Sequence, residues 1–79
     1  MNGTDGLVIA RRWEAGEAGC GPLILGLKRE LEQVRRGELL WVTALDAGAR
    51  LDLPAFCRMT GHALVRASHP VYVLKRNDG

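Results

Sequence analysis

The chain has 79 residues, 47% of them apolar and 25% charged, and a net charge of +2. This allows one domain, expected to span residues 1–79, with a core too small to enclose a deep substrate cavity. The weak, scattered positive charge and the few aromatic residues (two Trp, one Tyr, one Phe) argue against a nucleic-acid surface or an anionic membrane as partner.

Met1 to Gly6 has neither the basic nor the apolar stretch of a secretory leader. No apolar run approaches the ~18 residues of a membrane span. The expected compartment is therefore the cytoplasm, where Cys20 and Cys57 would be reduced thiols.

Leu7-Val8-Ile9-Ala10 opens a strand predicted over residues 7–13. The stretch from Glu14 to Pro22 holds three glycines and a proline, which predicts a loop leading into a helix start. Pro22 suits a first helical turn. From there Leu23, Ile24, Leu27, Leu31 and Val34 recur at helical spacing, predicting a helix over residues 22–36 that Gly37 stops. Lys28, Glu32 and Arg36 would form a charged row on its other face.

Leu39 to Leu45 is almost wholly apolar and predicts a central strand. Asp52 is a candidate N-cap for a short helix over residues 52–60, with Pro54 in its first turn and Gly61 as its stop. Leu53, Phe56, Cys57 and Thr60 would share one face. Two further strands, residues 62–67 and 71–76, flank a turn at Ser68-His69-Pro70. The order β-α-β-α-β-β favours an open mixed sheet with both helices on one face. Trp13 and Trp41 are read as an apolar sheet face for a partner.

Cys20 stands out chemically, because it lies between glycines immediately before a helix. Helix N-termini favour a thiolate, the nucleophilic form of cysteine, by roughly 0.3–1 kcal/mol. An incidental loop cysteine is the competing reading. Cys57, beside Phe56 on an apolar stripe, reads as buried and inert.

No pair among Cys20, Cys57, His62 and His69 has the spacing of a zinc site, so no metal is expected. His62 reads as a capping or strand-start residue. Gly21 and Gly26 have phosphate-loop spacing, but Leu27-Lys28 follows where Lys and then Ser or Thr is needed. Gly19-Cys20-Gly21 lacks the third glycine of a dinucleotide fingerprint, and Ser68 lacks a nucleophile elbow.

Several segments carry a family resemblance. Gly19-Cys20-Gly21-Pro22-Leu23, with Lys28 eight residues after the cysteine, looks like a Cys-Pro-x-Pro helix start. Gly37-Glu38-Leu39-Leu40 looks like a Pro-Gly-Glu-x-Leu strand entry. Asp46, then Asp52-Leu53-Pro54-Ala55-Phe56-Cys57, and then Gly61-His62 match the segment that follows. Over its whole length the chain resembles the TusA/SirA-like proteins, the sulfurtransferase TusA family. It departs from their pattern at Gly21 and Leu23, which replace two prolines, at Ala47, which replaces another, and at Glu17, which replaces a glycine.

The resemblance implies a two-layer α+β sandwich of order βαβαββ, a four-stranded mixed sheet with two helices on one face, like the C-terminal domain of bacterial initiation factor three. It also implies a bacterial sulfur-relay role. Cys20 would accept sulfane sulfur as a persulfide from a donor protein, a cysteine desulfurase or a rhodanese-like protein, and pass it to a downstream acceptor protein without a cofactor. Gly19, Gly21 and Pro22 would shape the loop and helix start, and Lys28 would guide docking. The alternatives are a noncatalytic TusA-like module that binds or regulates a partner protein and, by fold analogy alone, an RNA-binding domain.

Overall fold

A computed structural model describes residues 6–77. Its elements are β1 (Ile9–Gly16), α1 (Cys20–Leu31), β2 (Leu39–Ala44), α2 (Ala49–Thr60), β3 (Ala63–Ser68) and β4 (Val71–Lys75). The four strands lie in the order β1-β2-β4-β3. β1 runs parallel to β2, whereas β4 is antiparallel to both β2 and β3. The expected βαβαββ mixed sheet is therefore present.

Both helices pack on one face of the sheet. β2 alternates strictly, with Leu40, Val42 and Ala44 buried and Leu39, Trp41 and Thr43 half-buried. The buried set meets Tyr72 and Leu74 of β4, Leu23, Leu27 and Leu31 of α1, and Leu53, Phe56 and Cys57 of α2 in one core. Removing such side chains from water is the main drive for the fold, at roughly 25 cal/mol per Å².

Trp13 and Trp41 do not share a face. Trp13 pairs in register with Val42 and packs against the core, whereas Trp41 pairs with Arg12 and points away from the helices. The Arg12 guanidinium lies 4.5 Å from the Trp41 ring centroid, a cation–π contact worth roughly 0.5–1 kcal/mol. The paired-tryptophan patch is thus split by the period-two alternation of neighbouring strands.

β1 starts two residues later than expected and runs on to Gly16, because Glu14 and Gly16 continue the ladder opposite Thr43 and Ala44. α1 starts at Cys20 rather than at residue 22. Its first i→i−4 bond is Leu23 N–H to Gly19 O, at 2.9 Å. Pro22 therefore sits third in the helix, where its missing N–H is still one of the unpaired first-turn donors.

At its other end α1 stops at Leu31, short of Gly37. Val34 is still buried, because tighter turns (Gln33 N–H to Glu30 O, Val34 N–H to Leu31 O) continue the path. Arg76 donates to the carbonyls of Leu31 and Val34 at 3.0 and 2.5 Å, and a cation at a helix C-terminus also suits its dipole. The charged row through Arg36 is cut by this early stop. Among the described residues the ion pair that forms is Arg11–Glu30, 2.6 Å between β1 and α1. Being partly exposed, it contributes at most about 1 kcal/mol.

α2 begins at Ala49, three residues before the expected Asp52. The Asp46 carboxylate accepts the Gly48 N–H at 2.9 Å ahead of the helix. Asp52 already donates its own N–H to Gly48 O within the first turn, and Pro54 lies inside the helix. Gly61 closes α2 in the left-handed region at φ 84°, as its position in the sequence required.

Beyond Gly61, His62 stacks on Phe56 with 5.9 Å between ring centroids, and its Nδ1 accepts the Asn77 N–H at 3.0 Å. Asn77 in turn donates to Thr60 O at 2.7 Å. Burial, helped by the Arg76 charge, holds the His62 imidazole below its ordinary 6.5.

One contact sets the height of α1 over the sheet. A Cβ at Gly26 would lie 2.2 and 2.4 Å from two ring carbons of Trp13. Gly26→Val is expected to destabilise the protein by about 1–3 kcal/mol in urea unfolding, in spite of Val's better helix propensity. The cost should shrink in a Trp13→Leu background, because the two changes share one contact.

A second outcome concerns pH. The His62 site binds the neutral ring, so the unfolded chain takes up a proton first. The stability that His62 provides is complete above about 6.5 and falls as pH drops below that value. The gap in urea midpoint between wild type and His62→Gln should narrow from pH 7.5 to pH 5.

Candidate functional site

The loops after β1 and β2 are short, so α1 and α2 both start at the end of the sheet where these strands finish. Cys20 is the first residue of α1 and is exposed, and both it and Cys57 are free thiols. The sequence placed Cys20 in a loop. The helix reaches back to include it, with Gly19 as an extended N-cap at φ −78° and ψ −174°.

Neither flanking glycine is demanded by the backbone, since Gly19 and Gly21 are not among the positive-φ glycines. A Cβ at either would meet nothing within 4 Å. What the two glycines leave is bare space on both sides of the thiol. Pro22 follows, exposed, in the first turn.

Cys20, Ile24 and Lys28 lie four residues apart, on one stripe of α1. They line a groove of about 320 Å³ whose other wall is the Asp52, Ala55, Phe56, Met59 and Thr60 stripe of α2. The i, i+3, i+4 spacing places each set on one helix face. The groove is apolar in its middle, with Lys28 and Asp52 at its margin, and Met59 is 85% exposed. Lys28, Phe56 and Thr60 also line a second hollow of about 190 Å³ that reaches Glu32, His62 and Arg76. The two hollows therefore form one run along the helix pair.

Cys57, on α2, faces the other way. It is buried in the core, and burial pushes its thiol up to about 11. The two cysteines are thus chemically distinct: one lies at the mouth of a groove, and the other is protonated and enclosed.

Of the residues that the sequence singles out, Gly19 is the N-cap of α1, Cys20, Gly21 and Pro22 form its first turn, and Lys28 lies towards its C-terminal end, two turns beyond Cys20. It missed the opposite wall of the groove. Asp52 was read as a cap, yet its side chain lines the groove. Met59 was not singled out, although the spacing Asp52, Ala55, Phe56, Met59 marks a second stripe of α2.

A larger hollow of about 580 Å³ lies elsewhere, lined by Leu7, Val8, Leu39, Val65 and Lys75 among others. It holds no cysteine. Among the described residues no three His, Cys, Asp or Glu side chains are placed to hold a metal ion, and no helix is long and apolar enough to cross a membrane.

Comparison with known proteins gives the family. The chain is similar to two Neisseria meningitidis proteins, "Putative sulfur carrier protein NMA0882" of serogroup A and "Putative sulfur carrier protein NMB0681" of serogroup B. Each is 49% identical over 49 residues, which is 62% of this chain and 66% of the relative. The match thus spans slightly less than two thirds of these relatives' length. The profile described as "Sulfurtransferase TusA" matches residues 19–75, from the glycine before Cys20 to the end of β4. The chain belongs to the sulfurtransferase TusA family.

Proposed function

We propose that the protein is a sulfur carrier whose working group is the Cys20 thiol. The observation that carries this reading is the exposed position of Cys20 at the start of α1 and at the mouth of the groove between the helices. Family membership and the names of the similar proteins support it.

The chemistry asks little of so small a domain. The Cys20 thiolate attacks the outer sulfur of a persulfide R–S–SH on a donor protein. A new S–S bond forms at Cys20, the donor's S–S bond breaks, and the donor leaves as R–S⁻. Cys20 now carries the persulfide, and no net electron has moved. In the second step an acceptor nucleophile attacks the outer Cys20 sulfur, and the Cys20 thiolate leaves.

Cys20 acts as attacker in the first step and as leaving group in the second, and its exposure at the start of α1 leaves the sulfur open to a partner. Gly19 and Gly21 keep side chains away from the sulfur, so a partner's backbone can come close. Pro22 fixes the first turn. Lys28, two turns further along the same groove, guides the docking partner. A cysteine desulfurase or a rhodanese-like protein is the fitting donor class, and the reaction needs no cofactor.

Two measurements test this. Iodoacetamide under native conditions should label Cys20 at least about tenfold faster than Cys57, whose thiol is buried and held protonated. Equal rates would remove the argument for a single working thiol.

Incubation with a cysteine desulfurase and cysteine, or with a persulfidated rhodanese, should add the mass of one sulfur to wild type and to Cys57→Ser. Cys20→Ser should gain none. Gly21→Val, which crowds the thiol without a backbone penalty, should load more slowly while melting within a few degrees of wild type. A wild-type chain that takes sulfur from neither donor would favour the noncatalytic partner-binding module.

A further inference from the structure

The β3–β4 turn and the first turn of α2 enclose a hollow of about 280 Å³ that plays no part in the thiol chemistry. It is lined by Arg50, Ala67, His69 and Tyr72. Arg50 projects from the second position of α2 and is exposed. Among the described residues no carboxylate lies within ion-pair distance of it. The nearby acids are turned to other tasks: Asp46 accepts the Gly48 N–H, and Asp52 lines the groove beside Cys20.

His69 and Tyr72 form the opposite wall. His69 Nδ1 lies 2.6 Å from the Tyr72 hydroxyl, and Tyr72 is only 1% exposed. This pair always has a hydrogen left over. If the phenol donates to Nδ1, the other ring nitrogen carries N–H. If Nδ1–H donates to the phenol oxygen, the phenol O–H is unspent. In either arrangement the pair keeps one neutral donor, and both residues line the hollow together with Arg50. Ala67 occupies little of the space between them. Burial pushes the Tyr72 phenol up, and the Arg50 charge draws it part of the way back.

The geometry points to a small oxyanion site here, one that takes a phosphate or carboxylate group between Arg50 and the His69–Tyr72 pair. A guanidinium offers two parallel N–H bonds that match both anions, and the neutral donor adds a third contact from the side. The site is independent of the sulfur-carrier reading, since no step at Cys20 uses these residues.

Its position is informative. The turn that carries His69 is pinned to the end of β2 by the Ala44 N–H to Pro70 O bond, and β2 is joined there to β1 by Leu45 N–H to Gly16 O. Cys20 follows β1 at that same end. An anionic group held by Arg50 therefore sits on the end of the molecule that presents the thiol.

The test is an amide NMR titration of the full chain with inorganic phosphate and, separately, with acetate at constant ionic strength. Saturable shifts at Arg50, Ala67, His69 and Tyr72 are expected with at least one of the two. Response to both assigns an oxyanion site of broad selectivity, whereas response to one alone assigns that group. Arg50→Gln should weaken binding at least about tenfold, because it removes charge-assisted hydrogen bonds. Arg58→Gln, an equal loss of charge elsewhere on α2, should leave it unchanged. Shifts that never saturate, or equal weakening by the two variants, would overturn the site.

Discussion

The close seat of Trp13 against the backbone of Gly26 governs the geometry of the rest. With an indole pressed where a Cβ would stand, α1 can neither slide along β1 nor rotate without opening a void. Its buried stripe, Leu23, Leu27 and Leu31, is then held over the sheet. The stripe a quarter turn away, Cys20, Ile24 and Lys28, is aimed at α2. The thiol's place beside a groove thus follows from a packing contact two turns away from it.

The two ends of the molecule differ in how they are fastened. The last residues after β4 hold the C-terminal ends of both helices. Arg76 takes the free carbonyls after α1, and Asn77 bridges Thr60 and His62 at the end of α2. At the opposite end lie both helix starts, two glycines beside a bare thiol, and the Arg50 hollow. The fastening hydrogen bonds are concentrated at one end, and the exposed thiol lies at the other. A fastened base and an accessible tip would suit the proposed carrier role.

Much of this was legible in the residues. The period of Leu23, Leu27 and Leu31 gave α1, and the alternation hidden in Leu39–Ala44 still marked a central strand. Helix ends were harder. Pro22 and Pro54 each look like a first-turn signal; Pro22 does lie in the first turn of α1, but α2 begins five residues ahead of Pro54. Proline restricts only its own φ and the residue before it, and so does not fix where the helix starts. The early stop of α1 depends on Arg76, 45 residues further on, and no local pattern reports a cap from so far away. Cys20 was visible because glycines surround it. The α2 wall of its groove was not, since only tertiary packing decides which second stripe meets the first. Trp13 and Trp41 fail as a pair because the strand register sets them on opposite faces of the sheet.

The enclosure of Cys57 has a consequence for the fate of any sulfur held on the other cysteine. A persulfide is itself open to attack by a second thiolate, which would displace the outer sulfur and leave a disulfide. Within this chain the only other thiol is kept protonated by its burial, with its thiol pushed up to about 11. A sulfur held on Cys20, as proposed above, would therefore have no internal sink. It would persist until an outside thiol arrived, so the lifetime of the loaded state would be set by what comes to the groove, not by the chain itself.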